Sequence, residues 1–184
     1  MKYFKIILIL FLFLLNNKTS FANENIVEIL KKENNIIFIR HAIAPGNGDP
    51  PNFDILDCST QRNLSKEGEL QALKIGKFFR KNNINFTKVI SSEWCRCKDT
   101  AKIAFGNYET KNFLNSFYDE RFAENKGKQI LDFQKFIKNW NYSGNLALIT
   151  HYVVISEILD LATSSGEIVI TDNNLKFLGS LEIN

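Results

Sequence analysis

His41 and His151 are the only histidines in the chain, and each closes a short apolar run rich in β-branched residues. The first run is Ile36-Ile37-Phe38-Ile39-Arg40-His41, and the second is Leu146-Ala147-Leu148-Ile149-Thr150-His151. At the carboxyl ends of parallel strands, where α/β folds bind ligands, two such imidazoles can meet in one pocket. Arg40 stands beside the first, and Arg96 lies in a third segment, Ser91-Ser92-Glu93-Trp94-Cys95-Arg96-Cys97-Lys98-Asp99-Thr100-Ala101. Gathered without an anion, these groups would repel one another and lose solvation. Around a phosphoryl group, each can make a short charge-assisted hydrogen bond. The competing readings are structural: strand-end histidines held by hydrogen bonds, and an Arg96 paired with Asp99 or Glu93.

The positioning elements are legible from periodicity. A short helix is expected over 23–33, with Ile26, Val27 and Leu30 on one face, and Ile36 to Arg40 reads as a first strand. The loop Ala44-Pro45-Gly46-Asn47-Gly48-Asp49-Pro50-Pro51 must be irregular. Ser65 is placed to cap a helix over 66–81, in which Ala72, Ile75, Gly76 and Phe79 recur at helical spacing. A strand over 88–91, a helix over 97–105 and a helix over 128–140 follow, the last with Ile130, Phe133, Ile137 and Trp140 inward. Then come a strand over 146–150, a helix over 153–161 and a hairpin pairing 168–171 with 175–183. Alternating strands and helices predict a three-layer α/β/α fold around a mostly parallel central sheet. Both histidines then stand where strands hand over to helices, whose N-terminal amides favour phosphate.

Residues 1–22 are expected to be a secretory signal peptide. Lys2 and Lys5 precede an unbroken run of ten apolar residues, Ile6 to Leu15, and Ser20-Phe21-Ala22 supplies small residues at a cleavage site. The run is too short for a spanning helix. Cleavage after Ala22 leaves 162 residues, enough for one domain, with 20 basic and 20 acidic side chains. The slight basicity of the chain therefore belongs to its leader, and no broad nucleic-acid or membrane-binding surface is implied. The expected location is periplasmic or secreted. There, three cysteines predict one disulfide and one free thiol, and Cys58 linked to Cys95 or Cys97 is the expected pairing.

Taken in order, these segments resemble the histidine phosphatase superfamily, the phosphoglycerate-mutase-like group. Phe38-Ile39-Arg40-His41-Ala42 is similar to its opening Arg-His signature; Leu64-Ser65-Lys66-Glu67-Gly68 with Gln71-Ala72 is similar to its second segment. Ser91-Ser92 through Arg96 to Thr100-Ala101 resembles the third, and Ile149-Thr150-His151 the late strand bearing the second histidine. Tyr152 replaces the usual glycine after that histidine, so the local pocket differs. The resemblance implies a phosphatase that uses no cofactor and no metal, with His41 as the nucleophile that becomes a phosphohistidine. It implies Arg40, Arg96 and His151 around the phosphoryl oxygens, with His151 also in the catalytic set. A carboxylic acid would protonate the leaving oxygen; Glu120 is the first choice and Asp119 the second. Arg62 is a further candidate for substrate contact or for a surface salt bridge. Little chain is inserted between Ala104 and Leu146, so no large capping subdomain is expected. An open site suits a small phosphorylated substrate or a phosphoprotein, with no nucleic acid and no stable membrane association after signal cleavage.

Three other readings compete. A phosphate-binding or regulatory module would keep the pocket but lack useful turnover. A metal protein would use both histidines with Cys95 and Cys97, whose thiolates suit zinc or copper, although Arg96 between them is a poor neighbour for a cation. A mutase would need phosphorylated metabolites, which an extracytoplasmic location argues against.

Overall fold

Two strands, β1 (Ile36–Arg40) and β4 (Asn145–Thr150), are buried along nearly their whole length, which is why their sequences read as unbroken apolar runs rather than alternating ones. They pair in parallel at the centre of the sheet, with Arg40 opposite Thr150. The computed structural model describes residues 25–141 and 143–183, so the expected signal segment lies outside the described residues. With β2 (Phe86–Ser91), β3 (Glu109–Thr110), β5 (Ile168–Thr171) and β6 (Phe177–Leu181), the sheet runs β3-β2-β4-β1-β5-β6. Its β3-β2-β4-β1 part is parallel, and the β5–β6 hairpin closes it antiparallel.

Strand side chains alternate between two faces, and the core divides accordingly. Ile37, Ile39, Ala147, Ile149, Ile168 and Ile170 point into one cluster. Most of its other members come from the helical segment 25–31 (α1), α2 (Lys66–Lys81) and α3 (Cys95–Phe105). Ile36, Phe38, Leu146, Leu148 and Val169 point into the second, against Phe133 and Ile137 of α5 (Lys126–Asn139) and Val154 and Ile155 of α6 (Tyr152–Leu159). The expected three layers around a mostly parallel sheet are present. Element ends differ from expectation by one or two residues, as frayed ends do; α3 begins at Cys95 rather than Cys97, and a one-turn helix, α4 (Glu120–Ala123), is additional.

The segment that resembles a family motif has local duties. Ser65 caps α2, its hydroxyl accepting from the Gly68 N–H at 3.2 Å, and the Ser65 N–H donates to the Ile43 carbonyl at 3.0 Å. A Cβ on Gly68 would lie 2.0 Å from that carbonyl oxygen, so only glycine lets α2 approach the chain leaving β1. Gln71 then bridges the Ile43 N–H and the Ser165 carbonyl. Thr100 on α3 accepts from the Ala42 N–H at 3.0 Å. Together they fix the backbone that carries His41.

Candidate active site

Because Arg40 and Thr150 are paired across β1 and β4 and the His41 N–H still donates to the Thr150 carbonyl at 2.9 Å, the next residue of each strand arrives at the same height. Those residues are His41 and His151, with ring centroids 5.4 Å apart. Both are buried. They line one pocket with Arg40, Arg62 and Arg96, so the five cationic or imidazole groups picked out in the sequence do meet.

Each ring has a defined hydrogen-bonding state. His41 Nδ1 lies 2.8 Å from the Ala42 carbonyl, which can only accept, so Nδ1 carries the proton and Nε2 keeps its lone pair. His151 is fixed from farther away. Asn115 donates Nδ2–H to Glu93 Oε2 at 2.7 Å and accepts the Glu93 N–H at 2.9 Å, which settles which end of the amide is oxygen. That oxygen accepts the Ser92 hydroxyl at 3.0 Å, so the Ser92 oxygen receives the Nε2–H of His151, also at 3.0 Å. His151 Nδ1 is left as an acceptor facing Arg96 Nη2 at 3.5 Å. Burial first, then the positive charge of Arg96, pushes both histidines well below their ordinary range, so both are neutral at physiological pH.

Arg96 does not pair with Asp99 or Glu93. Its guanidinium is bound in bidentate fashion by Asp49, at 2.8 and 3.2 Å, with both side chains buried. Burial alone would push the Asp49 carboxyl up. The Arg96 pairing, the Arg62 N–H and the Trp94 indole N–H outweigh it and hold the group below the usual carboxylate range. Asp49 belongs to the irregular loop, and nothing local in the sequence marks it; only its folding back over Arg96 does. Arg62 is half-buried, with its side chain turned to the Gly48 and Ala44 carbonyls of the same loop. Three guanidinium groups stand against Asp49 and Asp119; with Asp119 neutralised by Arg121, the balance is two positive charges, matching a phosphomonoester dianion. Buried N–H groups of Arg40 Nε and Arg96 Nε have no acceptor among the described residues.

The disulfide joins Cys58 to Cys95, Cα to Cα 5.7 Å, one residue before Arg96. Of the two pairings open to the sequence, this one ties loop 44–63 to the start of α3. The Gln61 side chain caps the same point, its oxygen accepting the Cys95 N–H at 2.9 Å. Cys97 is free and buried, 3.5 Å from His151 Nε2, and burial pushes its thiol up to about 12. With Cys95 taken up in the disulfide, the pair of thiolates that a metal would use is not present.

The two carboxylates weighed as the acid are separated by the fold. Asp119 lines the pocket, whereas Glu120, in the first turn of α4, is exposed and lies outside the lining. Asp119 accepts from Arg121 Nε and Nη2 at 2.9 and 2.8 Å, and those bonds, with the Arg121 N–H, hold it at about 2. Arg121 in turn donates to the Asp49, Pro50 and Pro51 carbonyls, so this arm is strapped to the loop.

A family model described as the histidine phosphatase superfamily (branch 1) matches residues 36–130. A broad-specificity phosphatase of Saccharomyces cerevisiae is 31% identical over 111 residues, 56% of this chain and 46% of the yeast protein. The chain thus spans less than half the length of that curated relative. Among solved structures, the protein histidine phosphatase SixA complexed with tungstate superposes with a TM-score of 0.58 at 13% identity, over 80% of this chain and 96% of its own. A phosphoglycerate mutase from Thermus thermophilus gives 0.56 at 18% identity, over 82% and 99%. At such identities the structural likeness is one of fold.

Proposed function

The chain belongs to the histidine phosphatase superfamily, and on that premise we propose that it is a metal-independent phosphomonoesterase acting through a phosphohistidine on His41. The observation that carries the reading is the neutral His41, its Nε2 lone pair free, set in a doubly positive floor with buried guanidinium N–H groups lacking acceptors among the described residues. Nε2 attacks phosphorus, the N–P bond forms as the P–O bond to the leaving group breaks, and the leaving oxygen departs with its electron pair. Water then attacks phosphorus, orthophosphate leaves and His41 is restored. Arg40, Arg62 and Arg96 bind the phosphoryl oxygens, with Asp49 holding Arg96 in place, and His151 donates to them once protonated. That a fold neighbour takes tungstate, a tetrahedral oxyanion, supports this use of the fold.

A His41→Ala variant is expected to lose turnover of p-nitrophenyl phosphate together with an acid-labile phosphoenzyme. Retained turnover overturns the reading. One observation favours a phosphate-binding module with weak turnover: the carboxylates that reach the pocket, Asp49 and Asp119, are both held ionised by arginine, and Glu120 lies outside the lining. Phosphate binding by calorimetry without hydrolysis at any pH would select that alternative. We place the protein outside the cytoplasm, in the periplasm or secreted, a location supported by the signal-like leader and by a disulfide of the kind oxidising compartments maintain. A phosphoprotein or a small phosphoester is the substrate class this reading implies.

A further inference from the structure

The pocket changes character from floor to rim. Above the arginines and histidines stand Tyr118, Tyr152 and Phe122. Tyr118 is 53% exposed and Tyr152 38%, and their rings, 5.8 Å apart and tilted by 60°, do not cover one another. Phe122 is backed by Phe53 and Trp94, with ring centroids 5.2 and 5.4 Å away. The Arg40 guanidinium covers one face of Tyr152, and what remains exposed of Tyr118 and Tyr152 beside a strongly polar cavity offers a third ring an offset or edge-on arrangement.

The closeness of Arg40 to Tyr152 restricts where that ring can be. The Arg40 guanidinium lies 5.2 Å from the centre of the Tyr152 ring. A phosphoryl oxygen held by Arg40 therefore brings whatever is bonded to phosphorus directly alongside Tyr152. A ring several bonds further out would pass beyond it. The acid side of the site points the same way. Asp49 and Asp119 are held ionised by Arg96 and Arg121. An aliphatic alkoxide, nearly as basic as hydroxide, needs a proton as it leaves, whereas a phenoxide, whose acid has a pKa of about 10, does not need one fully transferred.

We propose that this site is built for aryl phosphates, in which the phosphoryl group is joined through one oxygen to an aromatic ring seated against Tyr118 and Tyr152. This rests on the phosphatase reading and goes beyond it. In the reaction His41 Nε2 takes the phosphoryl group, the aryl C–O bond stays intact, and the phenoxide takes its proton from water.

The test compares inhibition constants of phenylphosphonate and methylphosphonate, which share the acidic group and differ in the ring. The expected preference for the phenyl compound is about fivefold or more. It should collapse toward unity in Tyr118→Ala and in Tyr152→Leu, and survive in Tyr118→Phe and Tyr152→Phe, since the ring and not the hydroxyl is used. Equal inhibition in the wild type, a preference that survives Tyr118→Ala, or a loss in the phenylalanine variants overturns the proposal while leaving the phosphatase reading in place. If neither phosphonate inhibits and His41→Ala still turns over, it is the phosphatase reading that falls. Turnover of phenyl phosphate against a phosphotyrosyl peptide then separates a small-molecule source of the ring from a protein one, with glycerol 2-phosphate as the alkyl control.

Discussion

The floor and the rim of the pocket are built on different principles. The floor is centred on the ends of β1 and β4 and the first turn of α3; its histidines and Arg96 are almost fully buried, main-chain register brings the histidines together, and Asp49 from the loop holds Arg96 beside them. The rim comes from loop 44–63, the arm 115–122 and Tyr152 at the start of α6, is largely exposed, and its loop and arm are held by a disulfide, side chain to carbonyl bonds and the Asp119–Arg121 pair. The two histidines are placed by the same hydrogen bonds that make the sheet, so their spacing is tied to the integrity of the fold. The rim can be rebuilt by a few substitutions. On the proposed function, chemistry belongs to the first region and substrate choice to the second.

The sharpest way to break that division is at Arg96, which serves both regions because Asp49 of the loop sits on it. Arg96→Ala should lower kcat/KM about 10²–10³-fold. Calorimetry should also show destabilisation of about 3–5 kcal/mol, since Asp49 would remain buried and uncompensated. Adding Asp49→Ala should recover much of the stability and none of the activity, which separates the two roles.

Cutting the rim from the floor covalently comes next. The disulfide closes a loop with a sequence separation of 37, so Cys58→Ser should cost about 3–4 kcal/mol in denaturant unfolding. KM should rise more than kcat falls, because the loop carrying Arg62 and Asp49 loosens while His41 stays on β1. An equal fall in kcat would show that the floor depends on the loop.

The floor has its own pH signature. Both histidines titrate well below their ordinary range when folded, so below about pH 6.5 the unfolded chain binds protons that the native protein refuses. Stability is then complete above that value and falls with acidification, by about 1.4 kcal/mol per pH unit for each histidine, until the folded groups titrate. Unfolding free energies at pH 7.5 and 5.5 check this; a flat profile contradicts neutral burial. The smallest effect lies on the rim. Arg121→Gln should let Asp119 rise from about 2 toward the ordinary carboxylate range near 3.9, visible by NMR titration. If Asp119 is the acid, alkyl phosphates gain more from the change than aryl ones.

Much of the floor is legible in the sequence because its signals are local. The apolar runs over 36–40 and 146–150 read as buried strands on composition alone, and a residue following a strand has one place to go. Ser65, legible as a helix cap, and Gly68, Gln71 and Thr100, recognisable only as a motif, turn out to steer the backbone after His41. Less of the rim is legible. Asp49 looks like one more turn residue among glycines and prolines, and Asn115 carries no signal. Position in the sequence does not tell Glu120 from Asp119, although the turn into α4 leaves Asp119 in the pocket and Glu120 outside it.

By itself, the order of residues determined the alternation of strands and helices, the types of group at each strand end, and a cysteine count that demands one bond and one free thiol. Periodicity and composition act over a few residues, so they survive in a linear reading. Which carboxylate meets Arg96, which cysteine takes Cys58, and how Asn115 and Ser92 set the proton on His151 were decided only by the tertiary structure. Those are contacts across tens of residues, with energies that depend on burial and direction, and neither exists until the sheet has brought the chain ends together.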